Sequence, residues 1–205
     1  MSIVKLNNNG VKNATAFGSI TGLGDLALIK TVTASSSASI SFVDGASSVV
    51  LDNTYKEYIF YFNNIHPSAY ESLQFQTSTD GGSSYGVTVT STVIQTTHDE
   101  SGSSSALGYE TGLDLGQSTN FQNLGNGESN ANDAGSSGFL HLFNPSSTTF
   151  VKHFMGTYST FDTSPTLIVE KVAGYFNTTS AINAIQFKMS SGNIDAGTIS
   201  LYGVV

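Results

Sequence analysis

The sequence contains no cysteine, no tryptophan and no arginine. Without cysteine, neither disulfide bonds nor thiolate metal sites are available, so the fold has to be stabilised by its core. Without arginine, the chain lacks the side chain that makes bidentate contacts to phosphate and guanine. Only 11% of the residues are charged, and the formal net charge is −8. These features disfavour binding to nucleic acid or to an anionic membrane surface, because a polyanion would be repelled.

Long apolar runs are also missing. No run approaches the roughly 18–20 residues of a membrane helix, and residues 1–19 lack the apolar core of about 7–15 residues found in a signal peptide. We therefore expect no membrane insertion and no export by an ordinary signal. A protein of this kind that works outside a cell would leave it by another way, such as lysis.

Short runs of β-branched and aromatic residues recur along the chain, separated by Gly, Asn, Asp and Pro, and no helical period of 3.6 residues is present. Strands are predicted at 26–33, 39–43, 57–65, 72–78, 85–95, 106–115, 138–144, 149–158, 166–176, 181–189 and 197–205. This spacing predicts an all-β fold, a two-sheet antiparallel sandwich with a jelly-roll-like topology. A chain of 205 residues can form such a sandwich as one domain.

The strand at 57–65 carries apolar side chains on both faces. Tyr58, Phe60 and Phe62 point one way, whereas Ile59 and Tyr61 point the other way. This pattern indicates either a central strand that is covered on both sides or an aromatic face that is turned to a partner.

Two turns suggest strand pairs. The Asp-Gly sequence within 79–85 predicts a hairpin between the strands at 72–78 and 85–95. The turn at Pro145 predicts a second hairpin, between the strands at 138–144 and 149–158. His141 and His153 lie on this second pair and are candidate cross-strand neighbours, for which a half-exposed sheet pair is a better explanation than a metal site.

Residues 1–24 are predicted to form an extended, irregular N-terminal arm that precedes a β-sandwich domain at 25–205. The density of glycine and asparagine disfavours helix and strand in this segment. It is either a disordered tail or an arm that becomes ordered on a neighbouring subunit. In the second case the apolar anchors of the assembly arm are Ile3, Val4, Leu6, Val11 and Phe17.

The sequence does not indicate an active site. The four histidines lack zinc-ligand spacing, and there is no nucleophile elbow, phosphate loop or dinucleotide fingerprint. No pair of carboxylates stands out for glycoside chemistry. We therefore predict no catalytic residues, no metal site and no cofactor.

The polar stretch at 116–138 is predicted to be a long loop, which is uncommon and usually functional or mobile. The residues of this candidate ligand loop are Phe121, Asn126, Glu128, Asn130, Asn132 and Asp133. The last four supply oxygen atoms that suit calcium, but they lack the periodicity of a known calcium loop. A glycan is the alternative ligand.

Three segments resemble small virion structural proteins of tailed phages, particularly marine ones. They are the aromatic strand at 55–65, the segment LQFQTSTDGG at 73–82, and the closing strand GTISLYGVV at 197–205. The resemblance covers about residues 50–205. It implies a tail-fibre-like protein, a head fibre or a capsid decoration protein, and it brings no catalytic residues.

We therefore expect a non-enzymatic virion protein on the exterior of a phage particle, tethered to capsid or tail subunits by its N-terminal arm. A homo-oligomer, such as a trimer, fits a fibre-like or decoration module. The alternative is a tail adhesin that binds a host-surface glycan through the 116–138 loop or the aromatic strands. A depolymerase is a third and weaker hypothesis, because the sequence does not identify its carboxylate pair.

Overall fold

The computed structural model describes residues 26–205, and within that range the protein is all-β. The N-terminal arm predicted at 1–24, with its five anchors, lies outside the described residues. No helix in the described range is long and apolar enough to cross a membrane. The strands are β1 (Leu26–Thr33), β2 (Ile40–Val43), β3 (Glu57–Pro67), β4 (Leu73–Ser78), β5 (Val89–Asp99), β6 (Ser105–Tyr109), β7 (Gln122–Asn123), β8 (Ser136–Phe143), β9 (Lys152–Phe161), β10 (Thr166–Phe176), β11 (Ala184–Met189) and β12 (Ile194–Val204).

The strands form two antiparallel sheets that pack face to face. The large sheet has eight strands in the order β1-β12-β3-β8-β9-β10-β5-β6, and the small sheet has four in the order β2-β11-β4-β7. The predicted two-sheet antiparallel sandwich is therefore confirmed. The jelly-roll topology stays a prediction, since the strands divide eight to four and β8, β9 and β10 run as a simple meander.

The core between the sheets is built from aromatic rings. Phe187 of β11 lies at its centre, with its ring centroid 5.2 Å from that of Phe60, 5.2 Å from that of Phe62 and 6.4 Å from that of Phe75. Phe62 meets Phe187 edge to face, which is an arrangement that aromatic quadrupoles favour, whereas the rings of Phe60 and Phe75 are tilted against it. All four side chains are almost fully buried, so this cluster joins the small sheet to the large one.

β3 occupies a central place in the large sheet, between β12 and β8. Tyr58, Phe60 and Phe62 point into the core, and Ile59 and Tyr61 lie on the opposite face of the sheet. The predicted central position of this strand is therefore confirmed. The closing strand lies inside the same sheet, because β12 pairs with β1 on one side and with β3 on the other.

The hairpin predicted around the Asp-Gly turn is wrong. β4 belongs to the small sheet, whereas β5 begins only at Val89 and belongs to the large sheet. Residues 79–88 therefore carry the chain from one sheet to the other. Asp80 fixes the start of this crossover by accepting hydrogen bonds from the hydroxyls of Ser78 and Ser84, which lowers the pKa of Asp80 to about 2.

The hairpin at Pro145 is confirmed, since β8 pairs with β9. Its two histidines, however, are not cross-strand neighbours. The residue opposite His141 is Met155, and the residue opposite His153 on the next strand is Tyr175. His141 instead bonds to the carboxylate of Glu57 on β3.

Replacing Phe187 with alanine tests the central place of this ring. Because Phe187→Ala removes a fully buried ring and leaves a cavity, we expect the free energy of unfolding to fall by about 3–5 kcal/mol. Urea denaturation followed by circular dichroism measures this loss. Phe150→Ala is the matched control, since Phe150 is 69% exposed; an equal loss in both variants would contradict the assignment.

Candidate functional site

The segment 116–138 is mostly loop, as its composition predicts, but it packs along the edge of the small sheet. Gln122 and Asn123 form β7 and pair with β4. The amide nitrogen of Gln76 donates hydrogen bonds to the backbone carbonyls of Thr119 and Asn120, at 3.2 and 2.8 Å. The segment therefore lies along the β4 edge of the small sheet, and buried amide groups hold it in place.

The candidate ligand residues of this segment do not form one site. Phe121 lines a surface groove of about 510 Å³, where the ammonium group of Lys188 lies 4.4 Å from the centre of its ring. The groove is otherwise lined mainly by polar side chains, including Gln74, Asn120 and Asn123. The other candidates lie outside this groove; they are Asn126, Glu128, Asn130, Asn132 and Asp133.

The prediction that Glu128 belongs to a ligand-binding loop is wrong, because its side chain is fully buried. One carboxylate oxygen accepts a hydrogen bond from the backbone N–H of Leu73, at 2.7 Å, and the other accepts from the hydroxyl of Tyr158, at 3.2 Å. Leu73 begins β4 in the small sheet and Tyr158 lies on β9 in the large sheet. The carboxyl group therefore links the two sheets and is not available as an exposed calcium ligand beside Asn130, Asn132 and Asp133, which are exposed.

Glu170 is a second buried carboxyl group near the first. It lies directly opposite Tyr158 on the neighbouring strand. One of its oxygens accepts a hydrogen bond from the side-chain amide of Gln95, at 2.9 Å, and the other has no hydrogen-bond partner. No local pattern predicts this arrangement, because an acidic residue in a strand is ordinarily expected to face solvent.

Burial changes the protonation of both acids. Desolvation raises the pKa of Glu128 to about 8 and that of Glu170 to about 7. Hydrogen bonds to the charged forms oppose this rise, but they do not cancel it. Because both side chains are closed to solvent, a substrate cannot reach them, and the pair is a structural feature of the core.

Among residues 26–205, no group of three or more His, Cys, Asp or Glu side chains is arranged to hold a metal ion. The buried lysine, Lys152, is also engaged locally, since its ammonium group donates hydrogen bonds to the backbone carbonyls of Thr178 and Ser180, at 3.1 and 2.6 Å.

The outward-facing side of the large sheet carries a broad apolar surface, which we call the outer face. We define it by three rows of side chains that cross the strands. The first row is Leu28, Tyr202, Ile59, His141, Met155, Ala173 and Thr92. The second row is Thr31, Ser200, Tyr61, Phe139, Thr157, Lys171, Ile94 and Tyr109. The third row holds Glu57, Phe143, His153, Tyr175 and Thr90.

Aromatic rings on the outer face contact one another across the strands. Tyr61 lies between Tyr202 and Phe139, with centroid distances of 5.6 and 6.4 Å. Phe139 in turn lies 5.2 Å from His141. This network extends over β12, β3 and β8, and a second pair, His153 and Tyr175, continues it on β9 and β10 at 5.9 Å.

Met155 is the most prominent side chain near the middle of the outer face, and it is 56% exposed. A groove of about 490 Å³ adjoins it, lined by Phe143, His153 and Tyr175 among others. A second groove of about 350 Å³ adjoins it toward Phe139. The outer face therefore combines a projecting apolar side chain with apolar grooves on either side of it.

The two buried acids predict how stability depends on pH. Their pKa values in the folded state lie above the ordinary value of 4.5, so the folded state binds more protons than the unfolded state between about pH 4.5 and 8. Stability is therefore highest at the acidic end of this window and falls as the pH rises, with a slope that approaches about 1.4 kcal/mol per pH unit for each proton.

Urea denaturation of the wild type and of Glu128→Gln at pH 5.5 and pH 8 measures this effect. We expect the wild type to lose stability between the two values and the variant to lose clearly less. Glu100→Gln is the control, because Glu100 is exposed and its variant should keep the wild-type slope. A wild type with equal stability at both pH values would contradict the assignment.

The chain matches no protein-family model, no curated protein and no solved structure. The features of the structure that bear on its function are the outer face, the Phe121 groove and the buried acids. The resemblance to phage virion proteins stays a prediction from the sequence.

Proposed function

We propose that this protein is a non-enzymatic structural component of a phage virion, located on the exterior of the particle as a capsid decoration protein or a head- or tail-fibre-like subunit. Its N-terminal arm would tether it to capsid or tail subunits. The sequence resemblance suggests this role, and the outer face is the structural observation that supports it best.

The outer face supports a role in assembly because of its composition and because the packed core holds the other side of the same sheet. Protein interfaces are enriched in aromatic residues and methionine at their centres and depleted in charged residues. On the outer face, Tyr61, Phe139 and Met155 lie in neighbouring positions, and the opposite side of the sheet is fixed by the aromatic core. A stiff support of this kind lets a surface bind with little loss of conformational freedom.

The position of β1 supports the tether. β1 is an edge strand of the large sheet and begins at Leu26. Leu26 and Leu28 share a side of the strand with the outer face and are 40% and 59% exposed. Leu26, the first described residue, therefore lies beside the outer face, which places the start of the described domain next to the proposed docking face.

Deleting residues 1–24 tests the tether. If the arm anchors the sandwich, the truncated protein should fold but its incorporation into particles should fall by about tenfold or more, which corresponds to about 1.4 kcal/mol of lost binding. Mass spectrometry of separated heads and tails measures the incorporated amount and shows which part of the particle holds the protein.

A variant in which Ile3, Val4 and Leu6 are replaced by serine is the matched control for chain length. It should lose incorporation as the deletion does, because it lacks the same apolar anchors. Wild-type incorporation of both variants would contradict the tether, and absence of the full-length protein from heads and tails alike would contradict the virion role.

A glycan-binding adhesin is the second candidate, and the Phe121 groove is the observation that favours it. The groove is lined by two aromatic rings, those of Phe121 and Tyr85, and by the side-chain amides of Gln74, Asn120 and Asn123. Rings stack on the apolar faces of sugars, and amides bond to sugar hydroxyls in both directions. Lys188 adds a positive charge above the same ring.

A glycan array probed with the full-length protein and with Phe121→Ala tests this candidate. An adhesin should bind a subset of glycans, and Phe121→Ala should weaken that binding by about tenfold or more, because a ring stacked on its ligand contributes on the order of 1–2 kcal/mol. Phe150→Ala, which removes an exposed ring outside the groove, should bind as the wild type does. Absence of any array signal would remove the adhesin hypothesis.

A further inference from the structure

We infer that the outer face is the surface through which copies of this chain associate with one another. The inference rests on the proposed structural role and makes it more specific, since it names both the contact surface and its occupant. A second copy of the chain is the occupant for three reasons, which are the charge of the face, its area and its shape.

The charge of the outer face favours approach by another copy. The protein carries a net charge of −8, so two copies repel each other over most orientations. Within the three rows that define the face, the charged residues are Glu57 and Lys171, and Glu57 is already bonded to His141. A carboxylate also contacts the edge of the face, since the hydroxyl of Tyr109 donates a hydrogen bond to Asp114. The two grooves beside Met155 are lined by no carboxylate, so two copies can meet at the centre of the face without bringing carboxylates together.

The area of the outer face matches that of a specific interface. Eight strands that lie about 4.8 Å apart span about 33 Å, and three rows of side chains extend about 20 Å along the strands, which gives on the order of 650 Å². Specific interfaces bury about 1,200–2,000 Å² in total. Two such faces together give about 1,300 Å², so contact over the whole face reaches the lower end of this range.

The shape of the outer face is complementary to itself. Met155 projects from the sheet, with one groove toward Tyr175 and another toward Phe139. When two identical faces meet about a symmetry axis, the Met155 side chain of each copy can enter a groove of the other. Methionine suits this role because its unbranched, flexible side chain fills irregular apolar spaces. Closed symmetric contacts of this type are the common form of protein self-association.

Analytical ultracentrifugation of the full-length protein over a range of micromolar concentrations tests the inference. Because two identical faces that meet about a two-fold axis form a closed dimer, the wild type should sediment at twice the mass of the 21.5 kDa chain. Met155→Glu should raise the dissociation constant by about 100-fold or more, because it buries an unpaired charge at the centre of the contact. Met155→Leu, which keeps an apolar side chain of similar size, should associate as the wild type does.

Two controls keep the result interpretable. Phe150→Glu introduces the same charge at an exposed residue outside the three rows and should leave association unchanged. Circular dichroism should show that Met155→Glu is folded, since the side chain points away from the core. If Met155→Glu unfolds, Tyr175→Glu at the edge of the larger groove takes its place, with the same expected loss of association.

Three outcomes would overturn the inference. The first is a wild type that remains at 21.5 kDa. The second is a folded Met155→Glu variant that associates as the wild type does. The third is a Phe150→Glu variant that loses association as strongly as Met155→Glu does. A monomeric wild type that is nonetheless incorporated into particles would assign the outer face to a different virion protein. The proposed function would survive that result, so the two failures can be distinguished.

Discussion

In the centre of the large sheet, β3 presents apolar side chains to both faces. One set of these side chains packs in the core, and the other set has to lie on the outer face of the sheet. Toward the core, Phe60 and Phe62 pack against Phe187 of the small sheet. Toward the outside, Ile59 and Tyr61 belong to the outer face. A four-stranded sheet can cover only one side of an eight-stranded one. Within the described residues no second sheet packs on that outer side. Ile59 is nevertheless buried there by its neighbours, whereas Met155 on the same face is 56% exposed. Exposed apolar surfaces of this kind usually mark an interaction site.

The two sheets are joined by polar as well as apolar contacts. The carboxyl group of Glu128 bonds to β4 through the N–H of Leu73 and to β9 through Tyr158. An apolar side chain would avoid the cost of burying an acid, but it would leave the N–H and the hydroxyl without partners. The acid keeps both bonds and remains neutral over much of the physiological pH range because its pKa is raised. The polar link thereby fixes the position of one sheet relative to the other.

Local patterns were enough to predict most of the strands and the general architecture. The strands at 26–33 and 166–176 coincide with β1 and β10, because β-branched residues mark them, serines follow β1 and Asn177 follows β10. Pairing is harder to predict. The turn at Pro145 joins neighbours in one sheet, whereas the Asp-Gly turn joins different sheets, because β4 pairs with β11 and β5 pairs with β10. Both partners are remote in sequence from the turn.

The site was predicted less well than the fold. Composition alone made 116–138 resemble an exposed loop, since its residues are mostly small and polar. Gln122 and Glu128 are nevertheless buried, because the segment runs along the β4 edge of the small sheet, where its amides and carboxyl group bond to backbone groups. The outer face was anticipated in part, through the two-sided pattern of β3. Its extent depends on the register of eight strands, which no single segment encodes.

Oxidative footprinting of methionine tests the central claim, that the outer face is a contact surface, most directly. Met155 is 56% exposed in a single copy, whereas Met189 is 2% exposed and serves as an internal reference. Oxidation to the sulfoxide depends on exposure. We predict that Met155 is oxidised readily in dilute solution and becomes protected as the protein concentration rises, while Met189 stays protected throughout. Oxidation of Met155 at the same rate at every concentration would contradict the claim.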